Sequence, residues 1–280
     1  MASRSSSRRP RPEVVIDVQA REVRLDPSPD EIRAPGALLL ALEGRAPWEF
    51  AASIAATPLL RRLPRGDGHR VLVLPGLAAN DLTTLPMRTF LKDRGYDALP
   101  WEQGLNLGPR PGVLEALRER VKALHAIDGR KVSLVGWSLG GTYAREIAKE
   151  LPGCVRCVVT LGSPFSGPPT ATNAWWLFER VSGHPHPDAA TLAALREAPP
   201  AVPTTSIYSR TDGVVAWRCS LNPAGPLAEN IEVHASHIGL GLNPLAMVAI
   251  ADRLAQDPAR WKPFDATGLR GLFFKTGCHA

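Results

Sequence analysis

Ser138 stands between two glycines in Gly136-Trp137-Ser138-Leu139-Gly140, after the apolar run 132–135 and before the helix-like stretch 142–151. A serine hydroxyl is a poor nucleophile unless a tight turn presents it with a base on one side and backbone N–H donors on the other. Gly136 and Gly140 leave space where a Cβ would meet the crossing strand and helix, and Gly141 lets that helix begin close to the sheet. The motif is short enough to arise by chance, so the flanking strand and helix are what separate it from a glycine-rich turn with a passive serine. Attack on a carbonyl also needs a base and an acid that orients it. Asp212 follows an apolar run in Ser209-Arg210-Thr211-Asp212-Gly213, and His234 and His237 come later still.

The elements that must position these residues are legible from residue 70 onward. Val71-Leu72-Val73-Leu74 is a continuous apolar run ended by Pro75-Gly76, as expected of a strand covered on both faces of a parallel sheet. Asp81 is expected to cap a helix running to 94, with a strand at 97–101. Val113, Leu114, Leu117, Val121 and Leu124 then recur at a helical period over 113–126. Strand 132–135, helix 142–151 and strand 155–161 continue the alternation. Strands at 204–209 and 231–235 and a helix at 245–254 complete it. Repeated strand and helix units predict an α/β fold with a doubly wound, mostly parallel sheet and right-handed crossovers. His234 falls inside the strand at 231–235 and is expected to point into a face of the sheet, whereas His237 lies just past its end.

Residues 163–203 break the pattern with eight prolines around two short helical pieces, 173–181 and 188–197. The stretch is too long for an ordinary connection, and its apolar content favours a small helical lid. Trp175, Trp176 and Phe178 lie in the first piece. Neighbouring helix positions point about 100° apart, so one side can line a pocket while another packs on the core. Trp137 and Trp217 are further candidates for an apolar cleft. Ahead of the sheet, residues 1–30 read as a basic tail with an alternating stretch at 14–25 able to form an edge strand. Residues 31–65 read as a helical extension of two short helices docked on the body. The expected domains are therefore the tail, this extension, and residues 66–280 with the lid as an insertion.

The run Gly136-Trp137-Ser138-Leu139-Gly140-Gly141, in its strand–turn–helix setting, resembles the α/β-hydrolase superfamily, and in particular its esterases and lipases, over roughly residues 70–256. The resemblance implies a fold of that name and a triad in the chain order Ser138, Asp212, His237. It assigns His237, rather than His234, to the loop position of the base. It places the oxyanion donors at the N–H of Leu139 and of Leu77, although this chain has Pro75-Gly76-Leu77 where many relatives carry His-Gly. The implied reaction is hydrolysis of a small-molecule or lipid-like carboxylic ester through an acyl-enzyme, with no cofactor. A thioesterase or acyltransferase would use the same triad, and a catalytically idle binding protein would use only the cleft.

Composition narrows the partners. The formal charge of +6 is mostly the tail, where Arg4, Arg8, Arg9 and Arg11 precede the first acid, Glu13. This reads as a solvated tail rather than a nucleic-acid site. Arg8-Arg9 is not followed by an apolar segment, so no export signal is expected. The apolar stretch 36–60 is interrupted by Glu43, Arg45, Pro47 and Glu49, which excludes a continuous span but leaves peripheral membrane contact open. Cys154, Cys157, Cys219 and Cys278 are too sparse for a disulfide framework and fit a reducing cytoplasm. Cys154-Val155-Arg156-Cys157 leads into a strand instead of opening a helix. His184, His186 and Asp188 sit together in a proline-held loop without a further ligand group, so no metal is expected. His69, His125 and His279 are expected at the surface or terminus. The oligomeric state is not legible.

Overall fold

A computed structural model describes residues 32–182 and 200–277. The expected tail and edge strand, the second lid helix, the loop with His184, His186 and Asp188, and Cys278 and His279 lie outside the described residues.

Seven strands form one sheet in the order β2-β1-β3-β4-β5-β6-β7. They are β1 Arg70–Leu74, β2 Asp97–Leu99, β3 Val132–Trp137, β4 Val155–Leu161, β5 Thr204–Tyr208, β6 Ala228–Glu232 and β7 Lys275–Thr276. The first six run parallel, and β7 adds to β6 antiparallel. The helices are α1 Ala37–Ala41, α2 Ala46–Leu60, α3 Leu85–Asp93, α4 Val113–Ala126, α5 Leu139–Glu150, α6 Trp175–Ser182 and α7 Pro244–Leu254. The short apolar runs are buried on both faces because successive side chains alternate. Val71, Val73, Val135 and Ile207 pack with Met87 and Leu91 of α3 and Ile250 of α7. Leu72, Leu74, Leu134 and Val158 pack on the other face with Leu117 and Val121 of α4 and Ile147 of α5. Each such side chain contributes about 1.5–3 kcal/mol of burial.

Three expectations are corrected. Asp81 does not cap α3, which begins only at Leu85. Its carboxylate instead accepts from the N–H of Trp101 and Glu102, tying down the chain after β2. β6 ends at Glu232, so His234 lies outside the strand and is exposed rather than set into the sheet. His69 is buried, with its ring between Asp67 and Ser133. Among the described residues Cys154 and Cys157 are in no disulfide, and burial pushes the Cys157 thiol up from its ordinary pKa.

Candidate functional site

β3 delivers Ser138 to the carboxyl edge of the sheet, the edge at which open α/β sheets bind ligands. Ser138 adopts φ 52°, in the left-handed region that a side chain rarely occupies. The turn holds this conformation because its neighbours are nearly superposed. A Cβ on Gly136 would come within 2.4 Å of the Gly140 carbonyl oxygen, and one on Gly140 within 2.3 Å of the Leu74 oxygen. The Ser138 N–H donates to Leu161 O at 2.8 Å, fixing the turn to β4.

The loops after β5 and β6 bring Asp212 and His237 to this serine. His237 Nε2 lies 3.0 Å from Ser138 Oγ, and His237 Nδ1 lies 2.7 Å from Asp212 Oδ2. Asp212 is oriented through its other oxygen, which accepts from the N–H groups of Val214 and Val215 at 2.8 and 2.7 Å. Burial works against a protonated His237 ring, but the Asp212 charge and hydrogen bond, with the Glu43 charge added, outweigh it and raise its pKa above 6.5. The ring is thus disposed to take a proton from Ser138 and hold it as imidazolium beside a carboxylate.

Leu77 and Leu139 both line a cavity of about 330 Å³ that opens at Ser138. Since α5 begins at Leu139, its first N–H groups have no partner within the helix. In the turn after β1, the N–H groups of Ala78 and Ala79 are engaged by Asn106 O and Gly76 O. A Cβ on Gly76 would stand 3.2 Å from the Ser138 Cβ, so this turn lies against the serine. Of the aromatic candidates, Trp175 and Phe178 line the cavity and stack on each other. Trp176 faces solvent. Trp137 donates its indole N–H to His237 O at 3.0 Å, behind the base. Trp217 stacks on Tyr208 and lies in a separate pocket with Arg33 and Arg218.

Other residues complete the site that in the sequence stood out only as breaks in the apolar stretch 36–60, or not at all. Glu43, in the short turn of helix between α1 and α2, is buried. One of its oxygens accepts from the N–H of Gly213 at 2.7 Å and of His237 at 2.8 Å, and the other from Ile238 at 2.9 Å. It therefore clasps the acid loop to the base loop. Arg45 reaches the Thr211 carbonyl at 2.9 Å, and Glu49 accepts from the Ser236 N–H at 2.7 Å, so the extension seats both loops. Asn106 braces the Leu77 turn by donating to Pro75 O at 2.8 Å. Gly162, at φ 54°, is needed because a Cβ there would come within about 3 Å of both Asp212 and His237. Among the described residues, no group of three His, Cys, Asp or Glu side chains could hold a metal ion.

Comparison with known proteins adds a lineage to this geometry. The chain is 34% identical to pyochelin synthetase PchF of Pseudomonas aeruginosa (strain UCBPP-PA14) over 153 residues, 46% of this chain but 8% of that protein. It is 26% identical to serine hydrolase BPHL of Mus musculus over 155 residues, 52% of this chain and 53% of that protein. The chain thus spans about half of one curated relative and a small part of the other. Among solved structures, Aspergillus fumigatus lipase B superposes with a TM-score of 0.51 at 18% identity, over 71% of this chain and 57% of that one, a likeness of fold. A model described as the alpha/beta hydrolase family matches residues 34–273, a span that takes in the six parallel strands, the serine turn and both loops that meet it. The chain belongs to the alpha/beta hydrolase family.

Proposed function

We propose that this chain hydrolyses carboxylic esters through Ser138, His237 and Asp212. The observation that carries the reading is the unbroken hydrogen-bonded chain from Asp212 to Ser138, ending at the mouth of a largely apolar cavity. His237 Nε2 takes the Ser138 proton as Oγ attacks the ester carbonyl, and the N–H groups of Leu139 and Leu77 stabilise the oxyanion. The protonated ring then gives its proton to the leaving alcohol. In the second half a water, deprotonated by His237, attacks the acyl-enzyme and releases the acid and Ser138.

The described part of the lid stretch, residues 163–182, reads the acyl portion, since Trp175 and Phe178 of α6 reach the cavity while carrying none of the reacting groups. A series of p-nitrophenyl esters from acetate to palmitate, run beside acyl-thioesters, tests both points. Oxygen esters are expected to turn over faster than thioesters, and Trp175→Ala is expected to lower kcat/KM on long chains more than on acetate. Faster thioester turnover would reassign the acyl donor, and a uniform loss in Trp175→Ala would remove the lid from chain-length selection.

A further inference from the structure

α2 has its polarity reversed. A helix on a protein surface ordinarily buries an apolar stripe and shows charge to water. Here Glu49 and Ser53 turn inward, where Glu49 holds Ser236 and Asn243 and the Ser53 hydroxyl donates to the Leu242 carbonyl. Outward, every exposed position of α2 is apolar, with Trp48, Phe50, Ile54 and Leu59 set among alanines and prolines. Trp48 is 77% exposed, Leu59 63% and Ile54 60%. α1 extends the same surface through Leu38, 75% exposed, and Leu40. Apolar exposure on this scale marks a contact surface.

We infer that the outer face of α1 and α2 docks on an anionic lipid membrane. Charge selects this occupant. Between residues 32 and 65 the exposed charged residues are Arg33, Arg61, Arg62 and Arg65, all positive, while Glu43 is buried and Glu49 is turned to the loops. An apolar helix with a tryptophan and an arginine-rich end matches the boundary between acyl chains and acidic headgroups. A second copy placed face to face would bring like charges together around the same surface. At 15 residues, α2 is about 22 Å long, short of the roughly 30 Å hydrocarbon core, so it lies along the interface. No helix among the described residues is long and apolar enough to cross a membrane. The inference stands apart from the reaction assigned to Ser138, and its test does not use turnover.

The test is sedimentation of the full chain with vesicles of phosphatidylcholine, with and without phosphatidylglycerol. The chain is expected to partition onto the anionic vesicles at least about tenfold better than onto the neutral ones. Trp48→Ser is expected to lower partitioning about tenfold or more without changing the melting temperature, because its side chain is exposed. Ile54→Ser with Leu59→Ser is the second variant on the same face and is expected to do the same. Arg61→Gln with Arg62→Gln should remove most of the preference for phosphatidylglycerol. Failure of the wild-type chain to partition, or partitioning of both serine variants as strong as the wild type's, overturns the inference. So does lipid-free self-association that these substitutions abolish, since a second copy would then be the occupant.

Discussion

The sheet carries two hydrogen-bonded chains of aspartate, histidine and serine, one at each end. At the carboxyl edge, Asp212 holds His237 and His237 meets Ser138. At the opposite edge, Asp67 lies 2.5 Å from His69 Nδ1, and His69 Nε2 lies 2.8 Å from Ser133 Oγ. Residue types and connectivity are the same, and both serines come from the neighbourhood of β3. Their settings differ in every respect that matters for reaction. Ser133 is fully buried within β3, and its hydroxyl also meets the Cys157 thiol at 3.3 Å. Ser138 sits past the end of the strand at φ 52°, beside a cavity.

Electrostatics divides the two chains further. Asp67 is shared with Arg130 at 3.0 Å and Arg156 at 3.6 Å. Burial, joined by the charges of these arginines, lowers the pKa of His69 despite its carboxylate partner. Asp212 is held by backbone N–H groups instead, and a second carboxylate, Glu43, adds its charge, so His237 is raised. A histidine disposed to stay neutral fastens the base of the sheet. One disposed to accept a proton serves the mouth of a cavity.

The widest separation is expected from histidine deletions. His237→Ala should lower ester kcat/KM by about 10⁴-fold or more, whereas His234→Ala, altering an exposed ring, should change it by less than about threefold. Comparable losses in the two variants would dissolve the distinction between them.

Glu43→Gln should have an intermediate effect, about 10- to 100-fold in kcat, because an amide N–H₂ would face backbone donors in the clasp between the two loops. The pH profile gives the sharper readout. The proposed reaction requires neutral His237, so in the wild type activity is expected to rise as pH passes a pKa above 6.5. Loss of the Glu43 charge should lower that pKa and move the rising limb to lower pH. An unmoved limb would confine Glu43 to holding the loops.

Ser133→Ala should have the smallest effect on turnover, within about twofold. Stability should fall by about 1 kcal/mol as His69 loses a buried partner, as measured by denaturant unfolding. A large loss of activity would mean that the two chains are not independent.

What could be read beforehand was the part whose signals are local. The apolar runs of β1, β3 and β4 and the glycines around Ser138 each state their role within a few residues. Glu43 and Asn106 could not be read that way, because their partners lie far along the chain, at Gly213 and His237 for one and at Pro75 for the other. The nearest signal was Arg45, Glu49, Ser53 and Thr57 at four-residue spacing in an otherwise apolar stretch. Such spacing marks one helix face, but apolar burial is the usual rule, and here packing against polar loops reversed it. His237 could be preferred over His234 from its place past the strand, but the exposure of His234 could not be read, because the alternating residues continue to Ala235 while β6 ends at Glu232.

Labelling with a fluorophosphonate, followed by peptide mass spectrometry, tests the central claim most directly. Ser133 and Ser138 fall in the same tryptic peptide, 132–145, so fragment ions must locate the adduct. The account predicts one phosphonyl group per chain, carried by Ser138, formed faster as pH rises through the His237 titration and absent in Ser138→Ala. An unlabelled wild-type chain, or an adduct that persists in Ser138→Ala, would contradict it.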